Sequence, residues 1–281
     1  MPIPESQLEI WSRQGAIAGS QGTYATIRTA LEATDAPYRN RSHLIFLQGS
    51  YGNDTNIYAD SDVDIVVKTE SVYYSDTSGL KGQELENYKA AFVAAEYTHE
   101  DFKRDVVAQL TKKFPSAIKQ RNKAIFIEGS ESRRNADVIP AAQFRKYTRF
   151  SSVYDQAYVD GICFWAADGT QIINYPKLHS ANCTAKHQGT KSRFKPIVRI
   201  FKNLRNRMID LGRIPDGLAP SYFIEGLLYN VPSNQFVVGY QDTIVNVLNW
   251  IVSADRSGFL CANEQYFLCH PTSPVTWRRP R

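Results

Sequence analysis

The stretch Leu44-Ile-Phe-Leu-Gln-Gly-Ser-Tyr-Gly-Asn-Asp-Thr-Asn-Ile-Tyr-Ala-Asp-Ser-Asp-Val-Asp-Ile-Val-Val67 is the part of the sequence on which the rest depends. Two apolar runs of strand character flank a turn at Gly49 and Ser50 and, further on, an Asp-x-Asp pair. Side chains at i and i+2 of a strand project from one face, so Asp62 and Asp64 direct two carboxylates to one point, as Mg²⁺ requires. A Gly-Ser turn lets the backbone approach a phosphate closely. Together the two features predict chemistry on a nucleoside triphosphate.

Composition places the chain among ordinary globular proteins. Its 281 residues can form one large domain or two modest ones, with 43% hydrophobic and 22% charged residues. The net charge of +5 is compatible with a polyanionic substrate but is too small to indicate nucleic acid binding by itself. The first residues lack a leader pattern, and no apolar run approaches about 18 residues. We therefore expect a cytosolic, cytoplasmic protein that makes no membrane contact.

The four cysteines are expected to be reduced and mostly buried, since none belongs to a Cys-x-x-Cys pair. A zinc site would need His179, Cys183 and His187, which are spaced four residues apart. On a straight helix these three would span about 12 Å, at about 1.5 Å per residue. Only two of them can reach one ion, and we predict no zinc site.

The first part of the chain is predicted to mix helices and strands. The expected elements are a long helix at 6–33, a strand at 43–48, an Asp-bearing strand that ends near 68, a mobile loop at 71–83, a helix at 84–114 that breaks near 98, and short strands at 123–128, 136–140, 144–150, 161–165 and 170–173.

The second part is dominated by helical periodicity. Helices are expected at 176–187, 192–211, 220–230 and 240–254. The clearest is 192–211, which has one apolar stripe and a separate face with three cations. The stripe contains Phe194, Ile197, Val198, Phe201, Leu204, Met208 and Leu211, and the cations are Lys195, Arg199 and Lys202. This change of character predicts two domains, 1–170 and 171–281, with a cleft between them.

A third acid is needed if the Asp-x-Asp pair serves nucleotidyl transfer. Such transfer uses two metal ions about 3.5–4 Å apart, and a pair of ions calls for three carboxylates. Asp137 is the candidate, because an acid beside Val138 and Ile139 in a strand would be costly if it were buried without a partner. An Asp-x-Asp pair alone is often only a solvated strand edge. The combination with a Gly-Ser turn and a later strand acid is far more specific.

These motifs, Gly49-Ser50, Ser-Asp62-Val-Asp64-Ile and Ala-Asp137-Val-Ile-Pro-Ala, resemble those of the DNA-polymerase-β-type nucleotidyltransferase superfamily. Within it, the chain is similar to the bacterial cGAS/DncV-like nucleotidyltransferases, which make cyclic oligonucleotide signals in anti-phage defence. The second half supports the narrower match with the segments Tyr175-Pro-Lys-Leu-His179, Arg193-Phe-Lys-Pro-Ile-Val-Arg-Ile-Phe-Lys-Asn-Leu-Arg205, Ser221-Tyr-Phe-Ile-Glu225 and Asn230-Val-Pro.

The resemblance implies an α/β fold: a polymerase-β-like lobe with a mixed sheet, a helical C-terminal lobe, and an active site in the cleft. It also implies two Mg²⁺ or Mn²⁺ ions bound by the three aspartates, and a triphosphate bound by four further residues. The implied metal ligands and catalytic residues are Asp62, Asp64 and Asp137, and the implied nucleotide-binding residues are Gly49, Ser50, Lys202 and Ser221. Without the resemblance, Lys202 would be interpreted as part of a solvated helix face and Ser221 as a helix N-cap.

The function that the resemblance implies is synthesis of a cyclic oligonucleotide, expected to be a dinucleotide, from nucleoside triphosphates with release of pyrophosphate. A separate effector protein would respond to the product. One alternative is a transferase that gives a linear 2′–5′ or 3′–5′ product. A second is an RNA-binding module without catalysis, whose binding would weaken steeply with salt; RNA is also a possible activator. The cations available for RNA are Lys191, Arg193, Lys195, Arg199, Lys202, Arg205, Arg207 and Arg213.

The sequence does not identify the bases that are used. A nucleobase pocket needs an aromatic face, and Tyr147 and Tyr222 are two candidates among many tyrosines. Base choice depends on a few hydrogen bonds in the pocket, and the sequence does not reveal which residues make them.

Overall fold

The computed structural model describes residues 3–15, 17–58, 62–270 and 276–277. The chain forms two compact units. The sheet unit comprises the described residues of 19–47 and 62–175, and the helical unit comprises those of 1–18, 48–61 and 176–281. The last segment begins close to the predicted boundary at 170. Two earlier segments, 1–18 and 48–61, belong to the same unit as 176–281, and the second of them contains the Gly-Ser turn. The predicted division at a single boundary does not include this.

The sheet unit is built on a mixed sheet. Among the described residues, seven strands pair in the order β1-β2-β5-β4-β3, and β6 pairs with both β5 and β7. β2 and β5 are parallel, and the other pairs are antiparallel. The strands are β1 His43–Leu47, β2 Val63–Asp76, β3 Ile118–Gln120, β4 Ile125–Ile127, β5 Ala136–Ser152, β6 Asp155–Trp165 and β7 Gln171–Asn174, and the helices are α2 Ala18–Leu31, α4 Gln83–Ala91 and α5 His99–Lys113.

The long strands differ from the prediction. The segments 136–140 and 144–150 form one strand, β5, because β2 covers one of its edges while β4 and β6 share the other. The predicted loop at 71–83 is wrong in its first half: β2 continues to Asp76 after a register shift between Thr69 and Tyr73. Long-range pairing therefore overrides the polar composition of 71–76.

The predicted helix break near 98 is confirmed. Thr98 caps α5, because its hydroxyl accepts a hydrogen bond from the Asp101 amide and the Asp101 carboxylate accepts one from the Thr98 amide. This reciprocal capping box fixes where the helix begins. The strand β3, only three residues long, was not predicted.

The helical unit contains the four helices expected from the periodicity. Its helices are α1 Glu5–Ser12, α3 Gly49–Gly52, α6 Pro176–Gly189, α7 Phe194–Asp210, α8 Ser221–Tyr229 and α9 Tyr240–Ser253. The apolar stripe of α7 is buried at its beginning, where Phe194, Ile197 and Val198 are fully enclosed. Its end is exposed, with Met208 and Leu211 at 43% and 62%. Phe201 and Leu204 are partly buried and pack against the same core, so about three turns of the stripe take part rather than its full length.

The predicted helix at 6–33 is two helices, since α1 ends at Ser12 and α2 begins at Ala18. The Gly15 amide donates to the Asn56 carbonyl at 3.1 Å, and a Cβ atom on Gly15 would clash with the Ile57 backbone. This close approach of two chain segments ends the helix, and the helical periodicity does not reveal it. Within the described part of the chain, no helix combines the length and apolar composition that spanning a bilayer requires.

Candidate active site

The three predicted metal-binding aspartates lie in the sheet unit, at the beginnings of two neighbouring strands. Asp62 immediately precedes β2, Asp64 is the second residue of β2, and Asp137 is the second residue of β5. The parallel register makes Asp64 and Asp137 direct neighbours. Val63 and Ile65 are fully buried, whereas the acids are partly exposed, so the strand alternates as predicted. The sheet therefore brings carboxylates that are 73 residues apart in sequence to one end of two strands.

A basic side chain lies among these acids. Arg121 Nη1 is 3.4 Å from each carboxylate oxygen of Asp137 and 3.8 Å from Asp62 Oδ2. Burial raises the pKa of Asp137, the Arg121 charge opposes this shift, and the Asp62 charge adds to it. Close carboxylates repel one another unless a cation is present. The cluster already accommodates one positive charge, which is the property that a metal site needs.

The Gly-Ser turn lies in the helical unit. Gly49 has a φ of +65°, in the left-handed region that favours glycine. It begins α3 directly after Gln48, and the Asn53 amide donates to the Gly49 carbonyl at 3.1 Å. The Thr55 amide donates to the Ser50 carbonyl at 2.9 Å. The predicted tight turn is present, and residues 53–55 follow it closely.

A buried carboxylate holds the segment after the turn. Glu225, on α8, is 2% exposed and accepts hydrogen bonds from Asn53 Nδ2 at 3.0 Å, from the Thr55 hydroxyl and from His179 Nε2 at 2.7 Å. Burial alone would raise the pKa of Glu225, but the His179 and Thr55 hydrogen bonds and the Lys202 charge outweigh it and lower the pKa. We call Glu225 and its three donors the Glu225 hub. The hub was not predicted; its signal in the sequence is a glutamate inside an otherwise apolar helix.

The three cations of α7 hold the same segment. Lys195 Nζ donates to Asp54 Oδ2 at 2.9 Å, and Arg199 Nη1 donates to the Asp54 carbonyl at 2.6 Å. Lys202 Nζ donates to the Thr55 carbonyl at 3.0 Å. The three side chains are 7%, 9% and 0% exposed. The interpretation of this face as solvated is therefore wrong, and Lys202 is linked through Thr55 to the Gly-Ser turn.

Ser221 is the first residue of α8, and Pro220 occupies the N-cap position. No side chain caps this helix end, so the interpretation of Ser221 as a structural N-cap is wrong. The helix end leaves backbone N–H groups whose partners are not intrahelical, a feature that favours anions. Gly49, Ser50, Lys202 and Ser221 all belong to the helical unit.

The two candidate tyrosines lie in packed surroundings. Tyr147 is 1% exposed, with its ring in edge contact with Tyr88, Phe150 and Tyr158. Such a buried ring has no face for a nucleobase, and that candidate is wrong. Tyr222 stacks on His179, with centroids 5.1 Å apart.

A second group of potential metal ligands lies in the helical unit. The ligand atoms of His179, Cys183 and Glu225 lie within 4.8 Å of one another, and all three residues are buried. His187, the third residue considered from the sequence, instead accepts from the Lys195 amide at 3.3 Å. The hub donors already occupy Glu225. Burial and the Glu225 charge raise the pKa of the Cys183 thiol well above its usual value in the metal-free protein.

Comparisons with known proteins agree on one family. A family model described as the C-terminal helical domain of cGAS/DncV-like nucleotidyltransferases matches residues 181–281. The chain is 41% identical over 267 residues to the cyclic UMP-AMP synthase of Rhodothermus marinus. The aligned region covers 94% of this chain and 89% of that protein. It is 39% identical to the cyclic nucleotide synthase CdnE01 of Staphylococcus haemolyticus, over 94% of this chain and 90% of that protein.

Solved structures show the same likeness in three dimensions. The Rhodothermus marinus CdnE c-UMP-AMP synthase with Apcpp and Upnpp has a TM-score of 0.88 at 40% identity, over 99% of this chain and 92% of that one. The Elizabethkingia meningoseptica CdnE cyclic dinucleotide synthase with GTP and Apcpp has a TM-score of 0.76 at 34% identity, over 98% and 94%. The predicted fold class is confirmed.

Proposed function

The chain belongs to the cGAS/DncV-like nucleotidyltransferases, and from this premise we propose that it joins nucleoside triphosphates into a cyclic oligonucleotide, a dinucleotide, that signals in anti-phage defence. The observation that supports this most directly is the convergence of Asp62, Asp64 and Asp137 at the beginnings of β2 and β5. Relatives are named for products with different bases, which are UMP and AMP in one case and two purines in another. The bases of this product therefore have to be determined by experiment.

The acidic cluster fits two divalent metal ions. All three side chains are partly exposed carboxylates, and hard oxygen ligands are what Mg²⁺ and Mn²⁺ prefer. Arg121 already lies within 4 Å of two of them, so the site tolerates a cation in this position. In our proposal Asp62 and Asp64 bind both ions and Asp137 completes the site near the acceptor. When bound, the ions would supply positive charge that stabilises the pentacoordinate transition state at the α-phosphorus and lowers the pKa of the acceptor hydroxyl.

The reaction proposed is in-line displacement at the α-phosphorus. A 2′- or 3′-hydroxyl oxygen forms a bond to this phosphorus, the bond to the bridging oxygen of the β-phosphate breaks, and pyrophosphate leaves. The hydroxyl proton passes to solvent. A second displacement within the linear intermediate closes the ring and releases a second pyrophosphate. The protein contributes mainly positioning and electrostatic stabilisation.

The triphosphate is assigned to the helical unit. We propose that Gly49 and Ser50 bind the β- and γ-phosphates and that Ser221 contributes at the beginning of α8. Direct contact of Lys202 with the triphosphate stays a prediction. The bond of its ammonium group to the Thr55 carbonyl supports a second contribution, which is to hold the Gly-Ser turn in position.

The test is incubation of the purified protein with the four labelled nucleoside triphosphates and Mg²⁺ or Mn²⁺. We expect a phosphatase-resistant product, identified by mass spectrometry, and equimolar release of pyrophosphate per bond formed. The double variant Asp62→Asn/Asp64→Asn should form none. A folded protein that makes no product with either metal would contradict the proposal.

The same assay separates the alternatives. A linear product has a free end and is degraded by an exonuclease that requires one, whereas a ring is resistant. An RNA activator would have to bind without Lys195, Arg199 and Lys202, since these cations are buried. Titration of RNA into the reaction tests activation. The separate effector that we propose would be identified by its response to the purified product.

A further inference from the structure

Arg121 has a defined position at the acidic cluster for which the proposed reaction gives no reason. It follows β3 and begins the turn to β4, where its amide donates to the Ala124 carbonyl at 2.8 Å. Its guanidinium lies over the Phe126 ring, with Cζ 3.5 Å from the centroid. Phe126 and Asp137 are register partners across β4 and β5. The hairpin thus places a positive charge directly in front of Asp137.

The contact is close enough to neutralise the acids but too long to be a strong ion pair. The Nη1–O distances of 3.4 and 3.8 Å exceed the 2.7–2.9 Å that is typical of charge-assisted hydrogen bonds. The Arg121 side chain is 48% exposed, so it can return to water at little desolvation cost. Mg²⁺ binds carboxylate oxygen at about 2.0–2.1 Å. A guanidinium and a divalent ion on the same two oxygens of Asp137 would repel each other.

We propose that Arg121 is the resident counter-ion of the acidic cluster in the metal-free enzyme, and that it must leave Asp137 before this third carboxylate binds metal. Arg121 then has two opposite effects. It stabilises the metal-free fold by relieving the repulsion between Asp62 and Asp137, and it weakens the binding of divalent metal by competing for the same oxygens. The inference rests on the proposed function, because it takes these acids to be the metal site.

The experiment measures metal binding without nucleotide, so that it is independent of turnover. Binding of Mn²⁺ to the full chain is followed by the electron paramagnetic resonance signal of free Mn²⁺. For Arg121→Gln we expect binding about tenfold tighter than for the wild type, as removal of one half-exposed charge about 4 Å away implies. Arg121→Lys keeps the charge and should stay within about threefold of the wild type.

Lys119→Gln is the matched control. Lys119 lies on the same hairpin, two strands from Asp137, and its ammonium group pairs with Glu128 at 2.8 Å. Its loss removes the same charge and should change Mn²⁺ affinity less than about twofold. In an Asp137→Asn background, Arg121→Gln should raise the Mn²⁺ affinity less than about threefold, since the carboxylate for which Arg121 and metal compete is absent. Unfolding in EDTA should occur at a lower temperature for Arg121→Gln than for the wild type.

Equal or weaker Mn²⁺ binding by Arg121→Gln overturns the proposal, as does an equal gain in Lys119→Gln or the absence of binding in every variant. If Arg121→Gln does not fold, Arg121→Met, whose stem can still pack on Phe126, takes its place with the same expectation. Failure of the proposed function has a different signature, which is the absence of nucleotide product from wild-type protein. Tighter metal binding by Arg121→Gln would still support the counter-ion role in that case.

Discussion

The molecule contains two groups of carboxylate, histidine and cysteine ligands that differ in their electrostatic state. In the sheet unit, Asp62, Asp64 and Asp137 are partly exposed, and Arg121 lies 3.8 Å from Asp62 and 3.4 Å from Asp137. In the helical unit, Glu225 is 2% exposed and its carboxylate accepts three hydrogen bonds. The first group lies beside a half-exposed guanidinium, whereas the carboxylate of the second is buried and accepts hydrogen bonds from its own neighbours.

This difference shows that the types of side chain in a cluster do not by themselves identify a metal site. Residues His179, Cys183 and Glu225 have the chemistry of zinc ligands and lie within 4.8 Å of one another. The Glu225 carboxylate nevertheless accepts three hydrogen bonds within the fold, one of them from His179 Nε2. The buried Nδ1 of His179 has no hydrogen-bond partner among the described residues. The aspartates are partly exposed, so a cation from solution can reach their carboxylates. We therefore expect the aspartates to govern activity and the Glu225 hub to govern stability and the position of the Gly-Ser turn.

The largest expected effect is that of Asp64→Asn on activity. Loss of a carboxylate that binds both ions in our proposal should lower product formation by about 1000-fold or more, corresponding to about 4 kcal/mol in the transition state. The melting temperature in EDTA should change little, because Asp64 is partly exposed and asparagine has nearly the same shape. Labelled-nucleotide turnover and thermal unfolding measure the two. Asp155→Asn, at the exposed Arg149 pair, is the control and should retain activity.

The next effect is that of Glu225→Gln on the free energy of unfolding. A carboxamide replaces one of the two acceptor oxygens with a buried donor and removes the negative charge that His179 and Lys202 stabilise. We expect a loss of about 3 kcal/mol, measured by urea denaturation. An unchanged free energy of unfolding would contradict the hub as a structural element. Residual turnover at low temperature should show a raised KM for nucleotide, since residues 53–55 follow the turn.

A smaller effect concerns pH. The folded-state pKa of Glu225 is lowered from 4.5, so its contribution to stability is fully present above about 4.5 and is lost as the pH falls through the lower folded value. The difference in free energy of unfolding between wild type and Glu225→Gln should therefore shrink between pH 6 and pH 3. Denaturation at a series of pH values measures it. A difference that grew on acidification would mean that Glu225 is protonated in the fold.

The smallest expected effect is that of Cys183→Ala on zinc content and on the Mg²⁺ dependence of turnover. The thiol is buried and protonated, and its loss should cost about 1–2 kcal/mol through packing alone. We expect no stoichiometric zinc in protein prepared without chelator, by mass spectrometry of metals, and the same Mg²⁺ dependence of turnover in variant and wild type. Bound zinc that disappears in Cys183→Ala would remove the distinction between the two groups.

Local signals in the sequence predicted much of the fold. The Asp-x-Asp spacing, the glycine at a left-handed φ and the amphipathic stripe of α7 each depend on a few neighbouring residues, and all three are present. Features that depend on remote partners were missed. The break at Gly15 follows from the Ile57 backbone, and the extension of β2 to Asp76 follows from pairing with β5. No sequence motif marks Arg121, because its position depends on a hairpin whose strands are only three residues long.

The sequence by itself determined the family and the α/β class through its resemblance to known motifs, and short spacing within these motifs predicted the three acids. Only the tertiary structure decided what the charges do. Lys195, Arg199 and Lys202 share a helix face typical of phosphate binding, yet they donate to Asp54 and Thr55. Helical spacing tells which residues share a face. What that face meets depends on segments about 140 residues away, because buried cations must find oxygen partners wherever the fold provides them.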